Sequence, residues 1–438
     1  METDITTLKD LSVFEQEEEF SIFHKLNFTR TVGGREKLKS IFNKSSLDIT
    51  SIQNVQKTLQ LLIKKEDTWP LAISNGSVLM IHKFYESTID QIPDRPTISS
   101  AYLYKIFHAP DYSLVKYSTG HAFDFLKGMQ KILDNFLNIE APHNLMILLE
   151  KVKIRMDKQQ LNQILSKNKS TDLLMPEMLG FANFIRYHYK QNILEIIELY
   201  FQLDAWYGMA MAVKEYNLVF PEFHDAEEPQ LKAEELYHIL LSSPVAYHVE
   251  LNQKNNFIFL TGANMAGKST FIKAVGTAVY LAHLGMGVPA KSMRLSKFDG
   301  LLSNINVEDN ISKGESYFYN EVQRIKNTIL KINNGKKWLI LIDEIFKGTN
   351  IKDAMKCSTV VIEGLIKIKT SLFILSTHLY EIGEELKDYP NIDFKYFETN
   401  IIDDQLIFNY NLKDGISNDR LGYLILKREK VIELLENL

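Results

Sequence analysis

The sequence predicts an all-α domain followed by an α/β domain built on a parallel sheet, and three observations predict it. Apolar residues recur at three- and four-residue steps from Ser21 to about Asn217. That period breaks at Val219-Phe220-Pro221-Glu222-Phe223-His224, ahead of an acidic run of Asp225, Glu227 and Glu228. Beyond the break, short β-rich runs alternate with helical segments. The expected domains are residues 1–216 and 217–438. A chain of 438 residues has room for about two or three domains, and 45% hydrophobic with 24% charged residues is the composition of a folded protein.

In the first half, Ile49, Ile52, Val55, Leu59, Leu62 and Ile63 follow Asp48, a residue able to cap a helix. The same spacing returns at Leu145, Met146, Leu148, Leu149 and Val152, and again at Ile193, Ile196, Ile197, Tyr200 and Leu203. From Lys151 to Ser170 the pattern predicts a long helix with Ile154, Leu161, Ile164 and Leu165 on its apolar side. This segment carries Lys151, Lys153, Arg155, Lys158, Lys167 and Lys169 against Asp157. Such a face grips nucleic-acid phosphates without reading sequence, or is simply a solvated helix face; the spacing fits both.

In the second half, Phe257–Leu260, Trp338–Ile342 and Leu372–Leu375 are continuously apolar, as strands buried on both faces of a parallel sheet are. They end in Thr261-Gly262, Asp343-Glu344 and Ser376-Thr377-His378. Ligands of open α/β sheets sit outside the carboxyl ends of the strands, so these three endings are expected to converge on one site.

The single cysteine, Cys357, excludes an internal disulfide and a thiolate metal cluster and fits a reducing compartment. The acidic segment METDITTLKDLSVFEQEEEF has no apolar core of a leader, and no run reaches membrane length, so a cytoplasmic protein is expected. A formal net charge of −5 neither advertises nor excludes a polyanionic partner.

The chemistry is concentrated in Gly262, Ala263, Asn264, Met265, Ala266, Gly267, Lys268, Ser269 and Thr270, which satisfy G-x-x-x-x-G-K-S/T between a strand and a helix containing Phe271, Ile272 and Val275. Backbone N–H groups of such a loop cradle phosphate oxygens, Lys268 neutralises the β and γ charges, and the Ser269 hydroxyl ligates Mg²⁺. The fold class this implies is an α/β P-loop NTPase domain preceded by the all-α domain. Asp343 is expected in the Mg²⁺ shell, Glu344 on the attacking water, and His378 at the γ-phosphate. Ala263 and Ala266 occupy variable positions of the loop, which holds provided residue 266 needs no positive φ. Between the two motifs, Asn310-Ile-Ser-Lys-Gly-Glu-Ser-Tyr-Phe-Tyr precedes a helix carrying Val322, Ile325 and Ile329. There Ser316 either caps its own helix or offers its hydroxyl to a nucleotide on another subunit.

These residues reach a known family. Thr261-Gly-Ala-Asn-Met-Ala-Gly-Lys-Ser-Thr resembles the T-G-P-N-M-G-G-K-S-T loop of the MutS family of DNA mismatch-repair ATPases, and Asn264-Met265 are not demanded by a generic phosphate loop. Leu341-Ile-Asp-Glu-Ile-Phe-Lys-Gly-Thr-Asn is similar to that family's L-I-D-E-I-G-R-G-T-S, Ser376-Thr-His-Leu-Tyr-Glu-Ile to its A-T-H-F-x-E-L, and Ser312-Lys-Gly-Glu-Ser-Tyr-Phe to its S-G-x-S-T-F. Thr29-Arg-Thr-Val-Gly-Gly-Arg-Glu-Lys-Leu, with Asp48 to Gln56, resembles the start of its helical core, or lever, domain.

The resemblance implies an ABC-type ATPase that binds ATP and Mg²⁺, pairs two subunits around two nucleotides with Ser316 completing the partner's site, and moves levers around double-stranded DNA. It also implies a short form, because relatives that read mismatches carry two further domains ahead of the core, one with a Phe-x-Glu reader. Phe84-Tyr85-Glu86 spells that tripeptide but falls amid helical sequence, where buried packing is the expectation. The terminal helix-turn-helix that supports dimers looks shortened after Leu421-Gly-Tyr-Leu-Ile-Leu. A second expectation from another class is an ATP-gated interaction protein that binds protein partners or branched DNA and never inspects mismatches.

Overall fold

The structure, a computed structural model, describes residues 1–43, 47–137, 140–305, 317–402, 405–417 and Leu434. It divides into two compact units, Leu26–Lys44 with Gln53–Glu215, and Met1–Lys25 with Ser45–Ile52 and Tyr216–Leu438.

Among its described residues the first unit has helices and no strand. Its longest helix, Ala109–Phe136, buries Val115, Phe123, Leu126, Met129 and Phe136 and packs along Asn75–Glu86. A second long helix, Lys190–Glu215, packs on Val32–Asn43. Asp204 fixes that pair: fully buried, it accepts Arg30 N–H at 3.0 Å, Thr31 N–H at 2.8 Å and the Thr31 hydroxyl at 2.6 Å. Burial pushes its carboxyl pKa up, and these donors oppose the shift. Gly208 is required nearby, because a Cβ there would lie 2.8 Å from the Thr29 backbone nitrogen. The expected Asp48 cap is present, with Ser51 N–H donating at 2.6 Å. Phe84 is fully buried in the Asn75–Glu86 helix with Arg186 over its ring at 5.2 Å, the packing role expected of it.

The long helix expected over Lys151–Ser170 is instead two. His143–Met156 stops where Asp157 leaves helical geometry, at ψ 76°, and Gln159–Leu165 starts afresh. Ile154 is 70% exposed, so the apolar stripe does not cross the break. Two of the cations have carboxylate partners, Arg155 with Glu195 and Lys167 with Glu177.

Among its described residues the second unit holds ten strands: β1 (Glu222–His224), β2 (Gln230–Leu236), β3 (Tyr247–Asn252), β4 (Phe257–Thr261), β5 (Ser292–Ser296), β6 (Gly300–Asn304), β7 (Trp338–Asp343), β8 (Ser371–Ser376), β9 (Ile392–Ile402) and β10 (Gln405–Asp414). They form a sheet of order β1-β5-β2-β3 and a larger one of order β10-β9-β4-β8-β7-β6. The larger sheet is parallel except for β10, which runs antiparallel to β9. The three apolar runs of the sequence are its adjacent central strands β4, β8 and β7, buried at every position because the Lys268–His283, Tyr317–Ile332 and Ile351–Leu365 helices cover them. The β9–β10 hairpin and the smaller sheet have no counterpart in the sequence expectations.

Residues Met1–Lys25, expected with the helices, group with this α/β unit. Glu2 pairs with edge strand β6, its N–H donating to Asp299 O at 2.6 Å and its carbonyl accepting Leu301 N–H at 2.9 Å. The Thr7 hydroxyl accepts Ser303 N–H at 3.0 Å, and buried Asp10 accepts the Ser303 hydroxyl at 2.5 Å and Ile305 N–H at 3.0 Å. A parallel edge has unpaired N–H and C=O groups that need partners, and this segment supplies them. Among the described residues, no helix is long and apolar enough to cross a membrane.

Candidate functional site

Because β4, β8 and β7 are parallel neighbours, their carboxyl ends open on one edge, with Leu260 opposite Ser376 and Ser376 opposite Asp343. The Gly262–Gly267 loop leaves β4 there and the Lys268–His283 helix begins there. Gly262 and Gly267 have φ of 136° and 112°, and a Cβ at Gly262 would meet the Phe397 backbone at 3.1 Å, so both glycines are required. The third left-handed residue of the loop is Met265, at φ 66° and 77% exposed. Ala266 is not among the positive-φ residues and packs inside the loop, 1% exposed.

Lys268 folds over this loop, 5% exposed, donating to Gly262 O at 2.8 Å and Ala263 O at 2.9 Å. Burial lowers its pKa, and Glu344 and Asp343 oppose that shift. Asp343 ends β7 and accepts two hydroxyls, Ser269 on one carboxylate oxygen and Ser376 on the other. Glu344 follows at φ 59°, its N–H donating to Ser376 O at 3.0 Å. One Glu344 oxygen contacts His378 Nε2 and the other lies 2.8 Å from Lys347 Nζ. Burial alone would raise the Glu344 pKa, but the His378 and Lys347 contacts outweigh it and hold the carboxyl at about 2. His378 Nδ1 lies 3.4 Å from Lys268 Nζ, closing a ring of charged and polar groups.

The structure thus brings together Gly262 to Thr270, Asp343, Glu344 and His378 from three separate stretches of chain. Ser316 and Leu421 to Leu426 lie outside the described residues. Residues absent from the motifs also line the place. A cavity of about 380 Å³ beside the loop is bounded by Leu241, Val245, Tyr247 and Tyr410, a half-apolar wall next to Asn264, Ser269 and Glu344. Nothing local marks Tyr247 or Tyr410, which arrive on β3 and β10. Phe346 is a second surprise: it stands at φ 62°, where the resembling motif has glycine, and is buried against Phe318 with ring centroids 5.6 Å apart.

Residues 258–433 match MutS domain V. Proteins named DNA mismatch repair protein MutS are similar over about half of the chain. That of Thermotoga maritima is 29% identical over 243 residues, which is 55% of this chain and 30% of that protein. That of Pseudothermotoga lettingae is 30% identical over 232 residues, 52% of this chain and 28% of the relative. For Staphylococcus haemolyticus the figures are 27% over 268 residues, 60% and 30%. The matched region is therefore under a third of the length of these relatives.

Proposed function

We propose that this chain, which belongs to the MutS family, is a Mg²⁺-dependent ATPase whose P-loop domain of ABC type pairs with a second copy and works on double-stranded DNA. The observation that carries the reading is the meeting of Lys268, Ser269, Asp343, Glu344 and His378 at the carboxyl ends of β4, β7 and β8.

The residues fit the groups they would hold. A loop with left-handed glycines at both ends, running into a 16-residue helix, turns backbone N–H groups toward a phosphate. The hydroxyl of Ser269 and the carboxylate of Asp343, already in contact, are the hard oxygen donors that Mg²⁺ takes. Bound there, Mg²⁺ would neutralise charge on the phosphoryl group being transferred.

The chain's own residues do the rest. The Lys268 ammonium is held over the loop, where it balances β- and γ-phosphate charge. Glu344, ionised at neutral pH, accepts a hydrogen bond from the attacking water and orders it, and His378 donates at the γ-phosphate. The Leu241, Val245, Tyr247 and Tyr410 wall suits the base and ribose. Ser316 would complete the site of the second copy. The helical unit would hold duplex phosphates without reading bases.

The test is titration of the purified chain with a fluorescent ATP analogue, with and without Mg²⁺, alongside phosphate release. Absence of nucleotide binding sinks the reading. A mass measurement with and without ATP tests the pairing, and a duplex gel shift at rising salt tests the DNA contact, which is refuted by no binding at low salt.

A further inference from the structure

We infer that Glu321 is a positioning residue for Glu344: it ties the loop that follows Glu344 to the Tyr317–Ile332 helix and so sets where the Glu344 carboxylate stands. The inference rests on the reading of Glu344 as the residue that orders the attacking water. Glu321 is 4% exposed, one carboxylate oxygen accepting Lys347 N–H at 3.0 Å and the other Gly348 N–H at 3.1 Å. A buried carboxylate is tolerated only when hydrogen-bonded, so these two bonds join helix and loop with charge-assisted strength. A second contact runs parallel to them, the tilted Phe318–Phe346 ring pair at 5.6 Å.

The loop needs such support. Glu344 at φ 59° and Phe346 at φ 62° are both non-glycine residues in the left-handed region, and that geometry persists only where the surroundings over-determine it. The loop is held at its start by Glu344 N–H on Ser376 O at 3.0 Å, and at its end by Asn350, whose side chain caps the next helix through Asp353 N–H at 3.1 Å. Glu321 holds the middle. Without it the backbone relaxes out of the left-handed region, and the Glu344 carboxylate swings away from His378 and Lys347.

Two measurements on the full chain test this. Hydrogen exchange read by mass spectrometry needs no nucleotide: in Glu321→Ala the amides of Lys347 and Gly348 lose protection, while β7 and the Lys268–His283 helix keep theirs. In turnover with Mg²⁺ and ATP, the same variant loses roughly a hundredfold in kcat with ATP affinity within about twofold, and Glu321→Gln, which keeps one acceptor oxygen, falls between. Unchanged protection at residues 347 and 348, or unchanged kcat, overturns the inference. So does loss of ATP affinity together with protection across the whole α/β unit, which makes Glu321 merely structural. A wild-type chain that binds no ATP defeats the proposed function instead, and the exchange result then decides alone whether Glu321 holds the loop.

Discussion

The Ser269 hydroxyl donates to the Asp343 carboxylate across the ends of β4 and β7, joining residues 74 positions apart in the chain. In the proposed ATPase the pair supplies a hydroxyl and a carboxylate to Mg²⁺. Asp343→Asn is expected to keep nucleotide affinity measured without Mg²⁺ and to lose the affinity gained on adding it, with kcat down roughly a hundredfold or more. Isothermal titration in the two conditions checks this, and an equal Mg²⁺ effect in both proteins removes Asp343 from the metal site.

Variants at Lys268 and Glu344 are expected to separate binding from turnover. Lys268→Ala removes the ammonium proposed to neutralise phosphate charge and is expected to abolish nucleotide binding. Glu344→Gln keeps the side chain's shape, so binding should persist while single-turnover phosphate release stalls by roughly a thousandfold. Normal hydrolysis by Glu344→Gln would falsify its assignment to the water.

Stability of the α/β unit should depend on pH through two buried histidines. His283, fully buried, has its Nδ1 2.8 Å from Val279 O and accepts Phe298 N–H at 2.9 Å, and burial lowers its pKa from 6.5 to about 3. Burial likewise lowers His238 from 6.5 to about 4. Both are neutral when folded and charge when unfolded, so their contribution is complete above pH 6.5 and is lost as pH falls toward those folded values. Each gives a slope of about 1.4 kcal/mol per pH unit in that window. Urea midpoints followed from about pH 7.5 down to about pH 5 check it, and a His283→Gln variant with an undiminished slope refutes the histidine's part.

DNA contact through the helical unit makes its own prediction. Lys151 and Lys153 stand exposed on the His143–Met156 helix. If they meet phosphates, the double variant Lys151→Glu, Lys153→Glu weakens duplex binding uniformly across sequences and lowers the salt slope by about two. An unchanged slope assigns them to a solvated face.

What the sequence discloses depends on how far apart the partners lie. The phosphate-loop spacing, the strand before it and the helix after it fall within a few turns of chain, and the Asp343-Glu344 pair declares itself by ending an apolar run. Parallel strands buried on both faces read as unbroken apolar stretches, so the central sheet was legible too. Glu321 was not, because its role comes from two backbone N–H groups 26 and 27 residues away, and no residue type marks a backbone donor. Tyr247 and Tyr410 reach the cavity only through strand pairing. The split of Lys151–Ser170 turned on the backbone at Asp157, where composition still read as helix.

The amino-terminal segment has a consequence for how the chain is made. Asp10 finds its partner Ser303 only 293 residues later, so the carboxylate leaves the ribosome long before the strand edge it completes. Closing so large a loop is slow, and the β6 edge stays open until it happens. Residues 2 to 10 therefore wait during synthesis for a strand edge made far later in the chain. A fusion partner placed just ahead of them would sit beside a seam that the growing chain can close only once β6 has emerged.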